Sequence, residues 1–117
     1  LCLPLDEIED IVQSNPDGVV VIDEAYVDFG GNSVTDLVKK YDNLIVVQTF
    51  SKSRSMAGMR IGFAIGSEKL IKYMNDVKFS INSYTMNPIT QLCGAASMAD
   101  EEYFRETVDR IMTKYNG

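Results

Sequence analysis

An α/β fold built on a mostly parallel sheet is what this sequence predicts, and three features predict it. Two short β-branched runs, Val19-Val20-Val21-Ile22 and Leu44-Ile45-Val46-Val47, are apolar without alternation, as strands covered by helices on both faces require. The chain between them has room for a crossover, which two neighbouring parallel strands need. Amphipathic patterns precede the first run and fill the C-terminal half.

Taken in order, the elements are these. From Leu5 to Gln13, residues Leu5, Ile8, Ile11 and Val12 recur at helical spacing, and the turn Asn15-Pro16-Asp17-Gly18 closes that helix. The first strand, Val19–Ile22, ends in Asp23-Glu24-Ala25-Tyr26. A Gly30-Gly31-Asn32-Ser33 loop and a short helix from Val34 to Tyr41 lead to the second strand, which runs from Leu44 to near Phe50. This is a βαβ unit, for which a right-handed crossover is expected. Ser51 to Arg60 is polar, rich in small residues and without a period. The third strand, Ile61 to Ile65, is the only one expected to run antiparallel. Ser67 caps a helix through about Phe79, Asn87-Pro88 starts another, and Asp100 caps a third through Tyr115.

The composition narrows the function classes. A chain of 117 residues, 45% hydrophobic and 24% charged, suits one soluble domain, and no apolar run approaches the roughly 20 residues of a membrane span. A net charge of -6 argues against a nucleic-acid partner. Cys2 and Cys93 are far apart and form no CxxC, so neither a metal site nor a disulfide framework is expected, and a reducing, cytoplasmic setting fits. The absence of histidine removes His-based triads and most zinc sites. The six methionines read as core filler. The chain opens on Leu1 without an initiator Met, and an excised segment of a longer protein is expected.

Ligands of open α/β sheets gather beyond the carboxyl ends of the strands. Asp23 ends the first strand, Thr49 to Lys52 end the second, and Arg60 follows. A carboxylate, a lysine, two hydroxyls and a guanidinium at one buried rim can bind an anion and activate an amine. Singly, each has a plainer reading: Asp23 caps a turn, Lys52 is a solvated loop lysine, Arg54 and Arg60 are surface charges, Thr49 and Ser51 belong to turns, and Tyr26 is amphipathic core.

Their order carries more than any one of them. Val21-Ile-Asp-Glu-Ala-Tyr26-Val-Asp-Phe29, followed by Thr49-Phe-Ser-Lys52 and then Ala57-Gly-Met-Arg60-Ile-Gly-Phe63, closely resembles the fold-type I, class I/II aminotransferases that use pyridoxal 5'-phosphate. Within them it is most similar to the histidinol-phosphate aminotransferase branch, in which DEAYxxF and TxSK leading to AGxRxGF occur together. The resemblance covers essentially the whole chain.

That resemblance implies a fragment, residues 1–117, of the three-layer α/β/α large domain. It implies transamination between histidinol phosphate and 2-oxoglutarate in histidine biosynthesis, in a homodimeric enzyme acting on small amino-acid and keto-acid substrates. Lys52 matches the lysine that forms a Schiff base with the cofactor and then moves the proton of the substrate Cα, a role favoured by burial beside a cation such as Arg60. Asp23 matches the aspartate paired with the pyridine nitrogen, and Tyr26 the tyrosine that donates to O3′. Thr49, Ser51 and Arg60 match the phosphate cup, where replacing Arg60 with lysine would not be conservative. Gly58 and Gly62 match flanking turns.

The family's O3′ asparagine, ring-stacking aromatic, glycine-rich turn, substrate-carboxylate arginine and partner-subunit tyrosine have no counterpart here. The chain is therefore expected to carry the Schiff-base lysine without a working active site, and to expose apolar surface that a complete domain covers. Alternatives are a related decarboxylase of amino-acid phosphates, a catalytically inert fragment, or an anion-binding module using Ser51, Lys52, Arg54 and Arg60. No GxxxxGK[ST] P-loop is present, and nothing marks an oxyanion hole for a Ser-Lys hydrolase on Ser51 or Ser55.

Overall fold

The computed structural model describes residues 3–115. Helix α1 (Leu5–Ser14) leads through a turn, in which the Gly18 amide donates to the Asn15 carbonyl at 3.1 Å, into strand β1 (Val20–Asp23). A five-residue 3-10 helix (Thr35–Lys39) precedes β2 (Leu44–Thr49), and β3 (Gly62–Gly66) follows a second 3-10 turn at Ala57–Met59. Three α-helices complete the order: α2 (Glu68–Ile81), α3 (Pro88–Ala99) and α4 (Glu101–Tyr115).

β2 is the central strand. It pairs in parallel with β1, from Val20 opposite Leu44 to Asp23 opposite Val47, and antiparallel with β3, from Ile45 opposite Gly66 to Thr49 opposite Gly62. The mixed sheet with an antiparallel third strand is the one the sequence predicts. One face is closed by α1 and the first 3-10 helix, where Ile8, Val12, Val34, Leu37, Leu44 and Val46 form the core with Val20, Ile22, Val38 and Tyr41 against it. Leu44 and Val46 are fully buried, so removing either side chain would leave a cavity in the layer that holds the two strands together. On the other face Ile45 is buried and meets Gly66, which Ile71 of α2 also approaches, while Val21 stays 57% exposed. Apolar surface is open elsewhere too, at Phe63, Val77, Ile81, Tyr84 and Leu92, as expected.

Helix starts follow their caps. Ser67 Oγ accepts from the Leu70 amide, Asn87 Oδ1 from Thr90 and Asp100 Oδ1 from Tyr103. The short helix expected from Val34 to Tyr41 is only a 3-10 turn, because Val34 is drawn into the core and Leu37 accepts from both Lys40 and Tyr41 amides, which ends the winding. The paired residues of β1 and β3 lie one position later than the apolar runs suggest. Cys93 is a free thiol, and Cys2 lies outside the described residues. Among the described residues no helix is long and apolar enough to cross a membrane, and no cluster of acidic or thiol side chains could hold a metal.

Outside the core, α1 is tied to the 3-10 segment by a polar chain. Gln13 donates to the Tyr41 hydroxyl at 2.7 Å, which donates to Glu9 at 2.7 Å, and Lys40 lies 3.5 Å from the same carboxylate. The Tyr41 hydrogen bond, with help from Lys40 and against some desolvation, lowers the Glu9 pKa below its ordinary 4.5. A folded-state value below the unfolded one stabilises the fold above the unfolded value and is lost as pH falls through the folded one. Tyr41→Phe should therefore cost stability at pH 7, and the difference from the unsubstituted chain should narrow below about pH 4.5 as Glu9 protonates. Urea denaturation at pH 7 and pH 3.5 checks this, and a gap independent of pH would show that Glu9 takes no part.

Candidate active site

The parallel ladder delivers both polar clusters to one edge of the sheet. The Glu24 amide donates to Val47 at 2.9 Å, so β1 runs in register with β2 up to its last residue, and the Asp23 carboxylate stands at the strand end. There Asp23 accepts the Ala25 amide at 2.9 Å, the turn-capping role its plain reading assigns, while remaining exposed. The chain then turns through Val27 and Phe29, and Tyr26 presents its ring outward beside Phe29, with centroids 6.3 Å apart. From the loop after β2 Lys52 reaches back, its Nζ 5.2 Å from the Tyr26 ring centroid. Tyr26 and Lys52, far apart in sequence, thus meet beyond the carboxyl ends of β1 and β2.

Thr49 and Ser51 lie half-buried at the end of β2. Thr49 Oγ1 accepts the Ser51 amide at 3.1 Å and donates to the Ile61 carbonyl at 3.3 Å, so this hydroxyl shapes the loop from within. Arg60 sits in the left-handed region at φ 58°, and its guanidinium donates to Ala57 at 3.1 Å. Gly62, with the Gln48 carbonyl 3.1 Å from where a Cβ would lie, is a close backbone approach; nothing crowds Gly58.

The rim expected to be buried is open. Lys52 and Arg60 are both exposed, and among the described residues Lys52 has no salt bridge. Burial beside Arg60, which would favour a neutral amine, is not supplied by the described residues, because the helices that cover this loop pack on its far side, against Arg54 and Ile61.

The groups that hold the site in place are not among the site residues the sequence singles out, although Glu24 lies within the DEAYxxF segment. Glu24 is buried and accepts three hydrogen bonds: from the Val34 amide at 2.6 Å, Ser33 Oγ at 2.8 Å and Gln48 Nε2 at 2.8 Å. It staples the end of β1 to the loop before the 3-10 helix and to β2, directly between Asp23 and Tyr26. Ser53, also buried, donates to Asp28, joining the Lys52 loop to the turn that carries Tyr26. A cleft of about 490 Å³ opens beside β1, lined by Val21, Asp23, Tyr26 and Asn32 among others.

A profile of the family described as "Aminotransferase class I and II" matches residues 1–117. The chain belongs to that family. Among individual aminotransferases, the histidinol-phosphate aminotransferase of Lactococcus lactis subsp. cremoris is 53% identical over 113 residues, covering 97% of this chain and 32% of the relative. This chain spans about a third of the length of the curated relatives it matches. The fold is that of the same enzymes: the histidinol-phosphate aminotransferase of Sinorhizobium meliloti, solved with pyridoxal-5'-phosphate, superposes with a TM-score of 0.85 at 23% identity, over 96% of this chain and 31% of that one. The L-threonine-O-3-phosphate decarboxylase of Porphyromonas gingivalis is less similar, with a TM-score of 0.62 at 25% identity, over 75% of this chain and 27% of that one.

Glu24→Ala would orphan the buried Val34 amide and the half-buried Gln48 side chain, a loss of roughly 2–3 kcal/mol. Glu24→Gln keeps an acceptor for Val34 and should cost less. Chemical denaturation of the three proteins tests this, and an Ala variant as stable as the parent would show that the staple adds no stability.

Proposed function

We propose that this chain is part of the cofactor-binding large domain of a pyridoxal-phosphate enzyme that transaminates histidinol phosphate with 2-oxoglutarate, in histidine biosynthesis. The observation that carries the proposal is the meeting of the Lys52 amine with Tyr26 at the strand edge where Asp23 stands, in a chain half identical to histidinol-phosphate aminotransferases. The donor set fits the cofactor: a primary amine free of ion pairs among the described residues, a carboxylate, a phenol, and a hydroxyl and guanidinium able to take a phosphate.

In this reading the Lys52 amine would hold the cofactor and would serve as the group that takes up and returns the substrate Cα proton. Asp23 would pair with the pyridine nitrogen, and Tyr26 would donate to O3′. Thr49, Ser51 and Arg60 would take the phosphate. When bound, pyridoxal phosphate supplies the electron sink for the pair released as the Cα proton leaves. The groups that exclude water and bind the substrate carboxylate fall to other parts of the enzyme, in keeping with a chain one third the length of its relatives. The open apolar side chains fit surfaces that a further domain and a second subunit cover, and a cytoplasmic homodimer acting on small molecules follows from the same reading. A decarboxylase of amino-acid phosphates is the second reading, favoured by the fold likeness to one.

Incubation with pyridoxal phosphate, borohydride reduction and peptide mapping should place the label on Lys52 alone, and Lys52→Ala should abolish it. In the intact enzyme the same substitution should lower transamination of histidinol phosphate ~1000-fold or more. Label scattered over surface lysines would sink the assignment of Lys52, and carbon dioxide release from an amino-acid phosphate would favour the decarboxylase.

A further inference from the structure

Lys52 does not fix its own position. It is exposed, without a salt bridge among the described residues, and the contact its amine makes there is with the Tyr26 ring. The loop that carries it must therefore be held by its neighbours. Within the loop, the Phe50 amide donates to Ile61 at 3.1 Å, Met56 to Phe50 at 3.0 Å and Ser55 to Lys52 at 3.1 Å. Ser55 occupies the left-handed region at φ 55°, a conformation that a non-glycine residue keeps only when its surroundings impose it.

The residue before it, Arg54, reaches from this loop to the helices. Its half-buried guanidinium stacks 4.3 Å from the centroid of Phe104 and 5.7 Å from that of Phe50, and donates to the Ser97 carbonyl at 2.8 Å. Ser97 is in the last turn of α3, where carbonyls lack helical partners and the helix dipole favours a cation; Phe104 is in the first turn of α4. One planar group thus engages both helices at their corner and the first residue of the loop. A second contact holds the same helix to the loop's other end: at Gly94 of α3 a Cβ would lie 3.1 Å from Ile61 Cδ1.

We propose that Arg54 is a positioning residue that sets the conformation of the Lys52 loop by anchoring it to the α3–α4 corner, and so governs how readily Lys52 bonds to the cofactor. The second half rests on the reading of Lys52 as the cofactor-binding lysine; the first stands on the packing alone. A guanidinium is required because only a planar cation can offer faces to two rings and an edge to a carbonyl at once; lysine keeps the charge and loses the geometry.

The test uses the intact enzyme with Arg54→Gln, Arg54→Lys and, from the other side of the contact, Phe104→Leu. Two readouts separate loop from chemistry: amide exchange at Ser55 and Met56 in the cofactor-free protein, and the rate at which borohydride-trapped cofactor accumulates on Lys52. Arg54→Gln should speed exchange at both amides about tenfold while β2 amides are unchanged, and slow labelling of Lys52 about tenfold, with the donor KM nearly constant and kcat reduced. Phe104→Leu should act in the same direction, and Arg54→Lys should not rescue. Unchanged exchange in Arg54→Gln, or full rescue by lysine, would overturn the proposal. Faster exchange with labelling unaltered would overturn the link to Lys52. Failure of the unsubstituted enzyme to take label on Lys52 would overturn the functional reading and that link together, while the exchange data would still decide whether Arg54 holds the loop.

Discussion

The parallel pairing of β1 with β2 is the constraint from which the site follows. Parallel neighbours end at the same edge, so whatever the two strands carry past their carboxyl ends must meet there, however distant in sequence. The ladder continues through the Glu24 amide to Val47, and the Glu24 side chain then fastens that end to Ser33, Val34 and Gln48. Beyond this staple the backbone is free to turn outward. Asp23 and Tyr26 lie on either side of it, which is how a buried carboxylate with no chemistry of its own places two exposed side chains.

The loop after β2 meets a different requirement. In the proposed role of Lys52 it must offer an unencumbered amine while staying in one conformation, and a lysine cannot do both with its own contacts. Ser53 and Arg54 share the anchoring between them. The serine ties the loop to Asp28 in the turn after β1, and the arginine ties it to the helical layer. The sheet edge and the α3–α4 corner, separate parts of the architecture, are thereby connected through the residues next to Lys52.

The strands, the antiparallel β3, the caps at Ser67, Asn87 and Asp100, and the placing of Asp23 and Lys52 past the ends of neighbouring strands are legible in the sequence, because these depend on local pattern and strand order; the outward Tyr26 is not, since alone it reads as amphipathic core. Glu24, Ser53 and Arg54 are not legible there as supports. Each is polar, and a polar residue in a sequence reads as exposed; its burial depends on partners far along the chain, Val34 and Gln48, Asp28, and Ser97 with Phe104. The 3-10 turn reads as a fuller helix for the same reason, since Val34 is pulled inward by a carboxylate ten residues before it. Exposure of Lys52 and Arg60 is hidden because composition cannot say on which side of a loop the covering helices pack.

Arg60 has the opposite economy. Its left-handed backbone, at φ 58° and ψ 48°, strains a residue that carries a Cβ, and its exposed side chain returns a single hydrogen bond to Ala57. Glycine would relieve that strain at once. Laboratory evolution for heat tolerance alone would therefore drift toward glycine at this position and discard the guanidinium, so a thermal selection on this protein needs a simultaneous screen for the phosphate-binding role proposed for the arginine.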